Sequence, residues 1–273
     1  MSAIDLGPSA TARTRPDRCP GVLRPWPADD GALVRIRVPG GQLDTASLVA
    51  LTAVAAEYGD GRVRVTGRSN LQLRALPRVD ATLPTEVVAA IEATGLLPSR
   101  AHDLARNVLC SPQTGRAGGL ADLRPVVADL DRAICASPAL AGLPGRFLFT
   151  LDDGRGDVRG RHVDLGLDAL DESSARLRVG PGLADILRLD EAAGVLVELA
   201  EEFVRSRGDA PDAPWHLDED FARQDRTDVP LPYGPVPGGD HVAVTDGIDP
   251  TTAATWAAQT SQVVITPWHG VLI

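Results

Sequence analysis

The sequence predicts an α+β fold built on a duplicated unit, with a block of other strands and helices set between the copies. Three observations carry this. Polar and apolar residues alternate through 61–76, GRVRVTGRSNLQLRAL, the pattern of extended chain with one face on a core. Segment 261–273, SQVVITPWHGVLI, lies on 61–73 without a gap at a constant offset of 200 residues, setting Val263 on Val63, Thr266 on Thr66 and Trp268 on Arg68. An Asp-started helical stretch precedes each copy, at Asp44 and at Asp249. Shared element order at one offset is the mark of an internal repeat.

Residues 1–18 read as a loose tail, without the apolar core of a targeting signal. The first copy, 19–98, begins with GALVRIRVPGG, a strand around Val34, Ile36 and Val38 that ends in a Pro-Gly-Gly turn. LDTASLVALTAVAAEYGDG follows as a helix with Asp44 as its N-cap, stopped by Gly59 and Gly61. Two strands with a tight turn near Gly67–Asn70 come next, and LPTEVVAAIEATGL closes the unit as a second helix. The order β-α-β-β-α is half of a ferredoxin-like arrangement. The second block, 99–208, holds LARNVLCSP, a helix over Leu120–Ala136, strands in GRFLFTLDDG, RHVDLGL and ARLRVG, and the helix DEAAGVLVELAEEFVRSRG. Residues 209–239 are rich in Pro, Asp and Gly and read as a connector, with PWHLDEDFARQ as an ordered island. The last block, 240–273, is the second copy, with a shorter helix, no arginines and no second helix before Ile273.

The 273 residues are 44% hydrophobic and 23% charged, enough to bury a sizeable core. A net charge of −10 gives no general attraction for nucleic acid, and no run approaches a membrane span. We therefore expect a cytoplasmic protein with neither nucleic-acid nor membrane partners. The three cysteines are scattered and the five histidines isolated, so no spacing announces a metal site. Phosphate-loop, dinucleotide and nucleophile-elbow motifs are missing as well.

The chemistry-bearing feature is a face of arginine. The even positions from Arg62 to Arg74 are all polar, and Arg35 and Arg37 share one side of the preceding strand. Guanidinium forks onto carboxylates, so a cluster of arginines is a receptor for a polyanion. The chain contains no lysine, and a merely solvated face in such a protein would also be written in arginine. Asn70 and Gln72, interleaved with the arginines, add amides that bond carboxylate and pyrrole N–H alike. Arg106 and Asn107 stand in a short polar turn that could aim at a ligand, although on frequency alone Asn107 reads better as a cap or turn residue.

These segments resemble a known family, the sirohaem-type sulfite and nitrite reductases together with precorrin-3B synthase. LVRIRVPGG, VRVTGRSNLQLRAL and LARNVLC are similar to the half-domain motifs of that family. CPGVLRPWPADDGALVRIRVPGG, LPGRFLFTLDDG and VVITPWHGVLI are most similar to its precorrin-3B synthase branch. The resemblance implies two ferredoxin-like half-domains related by a pseudo-twofold repeat, plus an inserted α/β domain of the nitrite/sulfite reductase type. It further implies a bound tetrapyrrole, a precorrin rather than sirohaem, whose acetates and propionates meet Arg35, Arg37, Arg68, Asn70, Gln72, Arg106, Asn107 and Arg146. Arg62, Arg64 and Arg74 join only by the geometry of the face. In the family the synthase uses O₂ and a 4Fe–4S cluster to hydroxylate the macrocycle and close a lactone. Three cysteines cannot hold such a cluster, so its ligands are expected from sequence after Ile273 or from an Fe–S-bearing subunit. A non-catalytic tetrapyrrole-binding paralogue is the alternative. Where the family's sulfite reductases place two lysines about a strand phenylalanine, this chain has Arg146 and Leu148 about Phe147, which argues against reduction of sulfite or nitrite.

Overall fold

The computed structural model describes residues 17–210, 212–220 and 229–273. Two compact units are present: Cys19–Leu104 with Leu231–Ile273, and Ala105–Pro230 with the chain before Cys19.

The first copy opens with a hairpin of β1 (Trp26–Ala28) and β2 (Gly31–Ile36). A 3-10 turn at Pro39–Gly41 follows, with Gly40 and Gly41 at φ 63° and 70°. Side chains rarely adopt that conformation, and a Cβ on Gly41 would run into the Ile265 carbonyl oxygen. This close approach lets β3 (Gln42–Asp44) lie against the second copy. Alanine, leucine and valine then carry α1 (Thr45–Tyr58), which buries Leu48, Leu51, Val54 and Ala55 and stops at Gly59. Asp44 holds the N-cap position, but its carboxylate accepts from Gln262 Nε2 at 3.2 Å instead of capping an amide. β4 (Arg64–Val65), β5 (Leu71–Leu76) and α2 (Thr85–Ala93) complete the copy, and its sheet runs β1-β2-β5-β4.

The other unit is a mixed sheet under two helices. β6 (Val108–Cys110), β7 (Phe149–Asp152) and β8 (Leu165–Ala169) are parallel, while β9 (Ser174–Val179) and β10 (Gly182–Arg188) add antiparallel strands, in the order β10-β9-β8-β7-β6. α3 (Arg124–Ala136) begins four residues later than the sequence suggests. α4 (Leu189–Arg207) has Asp190 and Glu191 in its first turn and Arg205 and Arg207 in its last, each complementing the helix dipole. Phe147, Phe149 and Phe203 meet in its core at ring separations of 5.2 and 5.0 Å.

The second copy consists of β11 (Gly234–Val236), β12 (Gly239–Ala243), α5 (Pro250–Ala257), β13 (Gln262–Thr266) and β14 (Gly270–Leu272). Its sheet, β11-β12-β14-β13, repeats the strand order of the first. The copies also exchange edges: β3 pairs with β13 through Leu43 and Val263, and Ile248 pairs with Val63. Each residue that precedes a helix thus docks beside the other copy's first inner strand, as a pseudo-twofold repeat requires. Val63, Val263, Leu43 and Ile248 are buried in one shared core. The fold is therefore α+β with the duplication predicted from sequence. Among the described residues no helix is long and apolar enough to cross a membrane.

Candidate functional site

The polar face of the first copy is built by register. Arg35 on β2 stands opposite Gln72 on β5, and Arg64 on β4 stands opposite the same Gln72. Directly opposed residues of antiparallel strands share a face, so these three form a row across the sheet. Val34, Ile36, Val63, Leu71 and Leu73 point to the buried side. Along β5 the alternation holds from Leu71 to Arg74 and ends at Ala75, whose φ of 55° marks a bulge, after which the even-numbered Leu76 is buried.

The arginines on this face divide by partner. Arg64 pairs with Asp60 at 2.6 Å, Arg74 with Asp30 at 3.0 Å and Arg62 with Asp249 at 3.6 Å. Arg35 and Arg37 have no carboxylate at ion-pair distance among the described residues. Arg37 is 2% exposed, and its Nη1 donates to the carbonyl oxygens of Arg35 and Pro20 at 3.0 and 3.1 Å. Both guanidinium groups reach the Cys19 thiol, Arg35 Nη1 at 3.6 Å and Arg37 Nη2 at 3.7 Å. The Nε of each is buried without an acceptor among the described residues. Burial, reinforced by the like charges of Arg35 and Arg68 and opposed by Cys19 and Asp103, pushes Arg37 down to about 10. It therefore stays a cation at neutral pH.

Asn70 departs from the alternation. The turn from Thr66 to Asn70, with Ser69 at φ 54°, swings it into the interior, where Oδ1 accepts the Val38 N–H at 3.0 Å. Of the remaining candidates, Arg106, Asn107 and Arg146 belong to the other unit. Arg106 is buried and forks onto Asp131 at 2.6 and 2.8 Å. Asn107 donates to the Gly145 carbonyl oxygen at 2.9 Å. Arg146 is exposed, lies over the Trp215 ring at 5.0 Å and approaches Asp17 at 3.6 Å. So Arg35, Arg37 and Gln72 share the face and Arg68 lies near enough to act on Arg37 by its charge, whereas Arg106 and Asn107 are engaged inside their own unit. Sequence reasoning passed over Cys19, whose only local signal is the Cys-Pro-Gly ahead of the first hairpin.

A family model described as the nitrite/sulfite reductase ferredoxin-like half domain matches residues 27–82, which span β1 through β5 and the row itself. Residues 27–82 are thus similar to a half domain of that kind. Among curated relatives, precorrin-3B synthase of Sinorhizobium sp is 28% identical over 144 residues, covering 52% of this chain and 30% of the relative. Ferredoxin–nitrite reductase of Synechococcus elongatus is 32% identical over 130 residues, covering 45% of this chain and 25% of the relative. The structure of the NirA protein of Mycobacterium tuberculosis superposes with a TM-score of 0.67 over 94% of this chain and 59% of that one, at 19% identity. The half domain thus sits within a fold of the nitrite/sulfite reductase type. Each curated match spans less than a third of the relative's own length.

The thiols do not fit a Cys₄ cluster. Cys19 lies in the half-domain unit and Cys110 and Cys135 in the other, and none of the three is in a disulfide. Burial, with the carboxylates of Asp153 and Asp157 adding to it, pushes the Cys110 thiol well up, so it remains protonated.

Proposed function

We propose that the guanidinium face of the half domain binds the peripheral carboxylates of a tetrapyrrole, and that the chain is the substrate-holding part of a precorrin-3B synthase-like oxidoreductase of aerobic cobalamin biosynthesis. One observation carries the reading: two neighbouring guanidinium groups, one buried and one half-buried, hold buried Nε donors that no acceptor among the described residues satisfies. A buried donor without a partner is costly unless a ligand completes it. The acetates and propionates of a precorrin are bidentate acceptors of the right charge. Arg35 and Arg37 hold one carboxylate, with Cys19 fixing their spacing. Gln72 and Arg68 supply further donors on the same face. Arg106 acts one step removed, anchoring its turn through Asp131.

The tetrapyrrole brings the reactive macrocycle, and this chain's residues orient it and neutralise its charge. The cysteines at hand favour a second reading beside the first, a binding subunit whose redox centre is carried elsewhere. Leu148, 3% exposed, presents no cation where a sulfite or nitrite would need one.

Titration with uroporphyrin, an octacarboxylate, tests the face by quenching of porphyrin fluorescence. Losing a charge-assisted pair costs about 1.5–3 kcal/mol, so Arg35→Gln and Arg37→Gln should each weaken binding by about ten- to a hundredfold. Arg188→Gln, which removes an exposed surface pair with Asp190, should change nothing. Equal affinity in all four proteins rejects the carboxylate-binding face.

A further inference from the structure

We infer that His162, Asp164 and His216 bind a divalent transition-metal ion, zinc or one of similar chemistry, that fastens the Trp215–Leu217 segment to the start of β8. The three side chains bring one ligand atom each to a single point. His162 Nε2 lies 2.9 Å from His216 Nδ1 and 3.2 Å from Asp164 Oδ2, and His216 Nδ1 lies 3.1 Å from the same oxygen. The two imidazole planes stand at 85°, converging by their nitrogen edges rather than stacking.

Hydrogen bonding alone serves this triangle poorly. Each ring nitrogen carries one in-plane proton or one lone pair, and the carboxylate has no proton of its own to give. Two imidazole protons at most cannot make three well-directed contacts around a triangle. A cation above its plane accepts all three lone pairs at once. With bonds of about 2.0–2.1 Å, ligand atoms stand about 3.3–3.4 Å apart in a tetrahedron and about 2.8–3.0 Å apart on an octahedral face, which brackets the observed separations of 2.9, 3.1 and 3.2 Å.

The surroundings are those of a built site. Asp164 is 0% exposed, and both its oxygens are oriented by backbone donors: the Leu148 N–H to Oδ2 at 2.8 Å and the Leu217 N–H to Oδ1 at 2.9 Å. Such outer contacts hold ligating carboxylates in place. The Glu219 carboxylate, equally buried, accepts the Trp215 and His216 amides at 2.7 and 3.3 Å and so fixes the loop that carries His216. The His162 side chain, 10% exposed, leaves a path for entry and for a water as fourth ligand. Two imidazoles and one carboxylate suit zinc, whereas magnesium and calcium prefer oxygen throughout.

The full chain, stripped with a chelator, is to be loaded with Co²⁺ and then with Zn²⁺, followed by gel filtration and metal analysis. One equivalent of cobalt per chain, with a ligand-field absorption that zinc abolishes, is the expected result. His216→Gln and Asp164→Asn should bind at least about tenfold more weakly, and His269→Gln, in the other unit, should bind normally. Thermal unfolding of the wild-type protein covers variants that fail to fold, since added zinc should raise its midpoint. Folded wild-type chain that takes up no stoichiometric metal, or whose uptake survives in folded His216→Gln, overturns the site.

Discussion

The two copies of the repeat share a backbone and differ in what they place on it. Ser69 and His269, 200 residues apart, occupy the same left-handed turn position at φ 54° and 57°. In both copies the pairings run in the same register: Arg35 faces Gln72 in one, and His241 faces Leu272 in the other. Yet position by position the polar face is exchanged. Arg64 becomes Val264, Arg68 becomes Trp268, Gln72 becomes Leu272, and Arg35 becomes His241, whose ring is buried and bonded to Thr266 Oγ1 at 2.8 Å. The inward residues are kept in kind: Val63 and Val263, Val65 and Ile265, Leu71 and Val271. The inward set is thus what the two copies share, while the second copy buries its outer set too, with Val264, Leu272 and His241 all inaccessible. The arginines of the first copy have no counterpart in the second, which makes them the residues to test for a ligand.

Exchanging residues between the copies should show where the backbone is tied to its own side chains. The largest effect is expected at Gly270, the counterpart of Asn70. A Cβ there would land on the His241 ring and on the carbonyl oxygen of Val242, within a buried pair of strands. His241 cannot swing aside without giving up Thr266. Gly270→Asn should cost about 3 kcal/mol or more, read as a fall in the denaturant midpoint. The reciprocal change is milder. Asn70→Ala removes the acceptor of the buried Val38 N–H and should cost about 1–3 kcal/mol. If Gly270→Asn proves the gentler of the two, the copies are not packed as their register implies.

The parts of the fold legible in sequence are those fixed by local pattern. α1 is a long run of helix formers closed by glycine, and the arginine row follows from period two on β5 once β2 is placed beside it. β3 was not legible, because three residues without alternation are assigned a partner only by pairing with β13, 220 residues further on. β10 was missed because its apolar Leu183 and Ile186 are exposed and interrupted by a bulge. Within the candidate site, Asn70 reads as a member of the polar face, but the turn before it rotates it inward. Arg106 reads as a ligand contact until α3 brings Asp131 within reach from 25 residues away. The histidine pair, 54 residues apart, leaves no spacing signal; His162-x-Asp164, two ligand types at a strand period, is the only local hint.

The smallest expected effect separates the copies at the turn they share. Ser69 and His269 both hold a conformation that costs a residue with a side chain about 1–2 kcal/mol, and glycine removes that cost. Their side chains differ in what would be given up. Ser69 is buried, and its Oγ has no partner among the described residues, so Ser69→Gly discards strain and an unsatisfied hydroxyl together. It should stabilise the protein by about 1 kcal/mol. His269 Nδ1 contacts the Val65 carbonyl oxygen at 3.2 Å, joining the second copy's turn to the first copy's strand. His269→Gly trades that hydrogen bond, worth about 1 kcal/mol, for the relief of strain and should be close to neutral. Chemical denaturation of the two variants in parallel decides the matter. Equal stabilisation would mean that the His269 bond carries no weight, and a loss in Ser69→Gly would mean that its hydroxyl serves the turn after all.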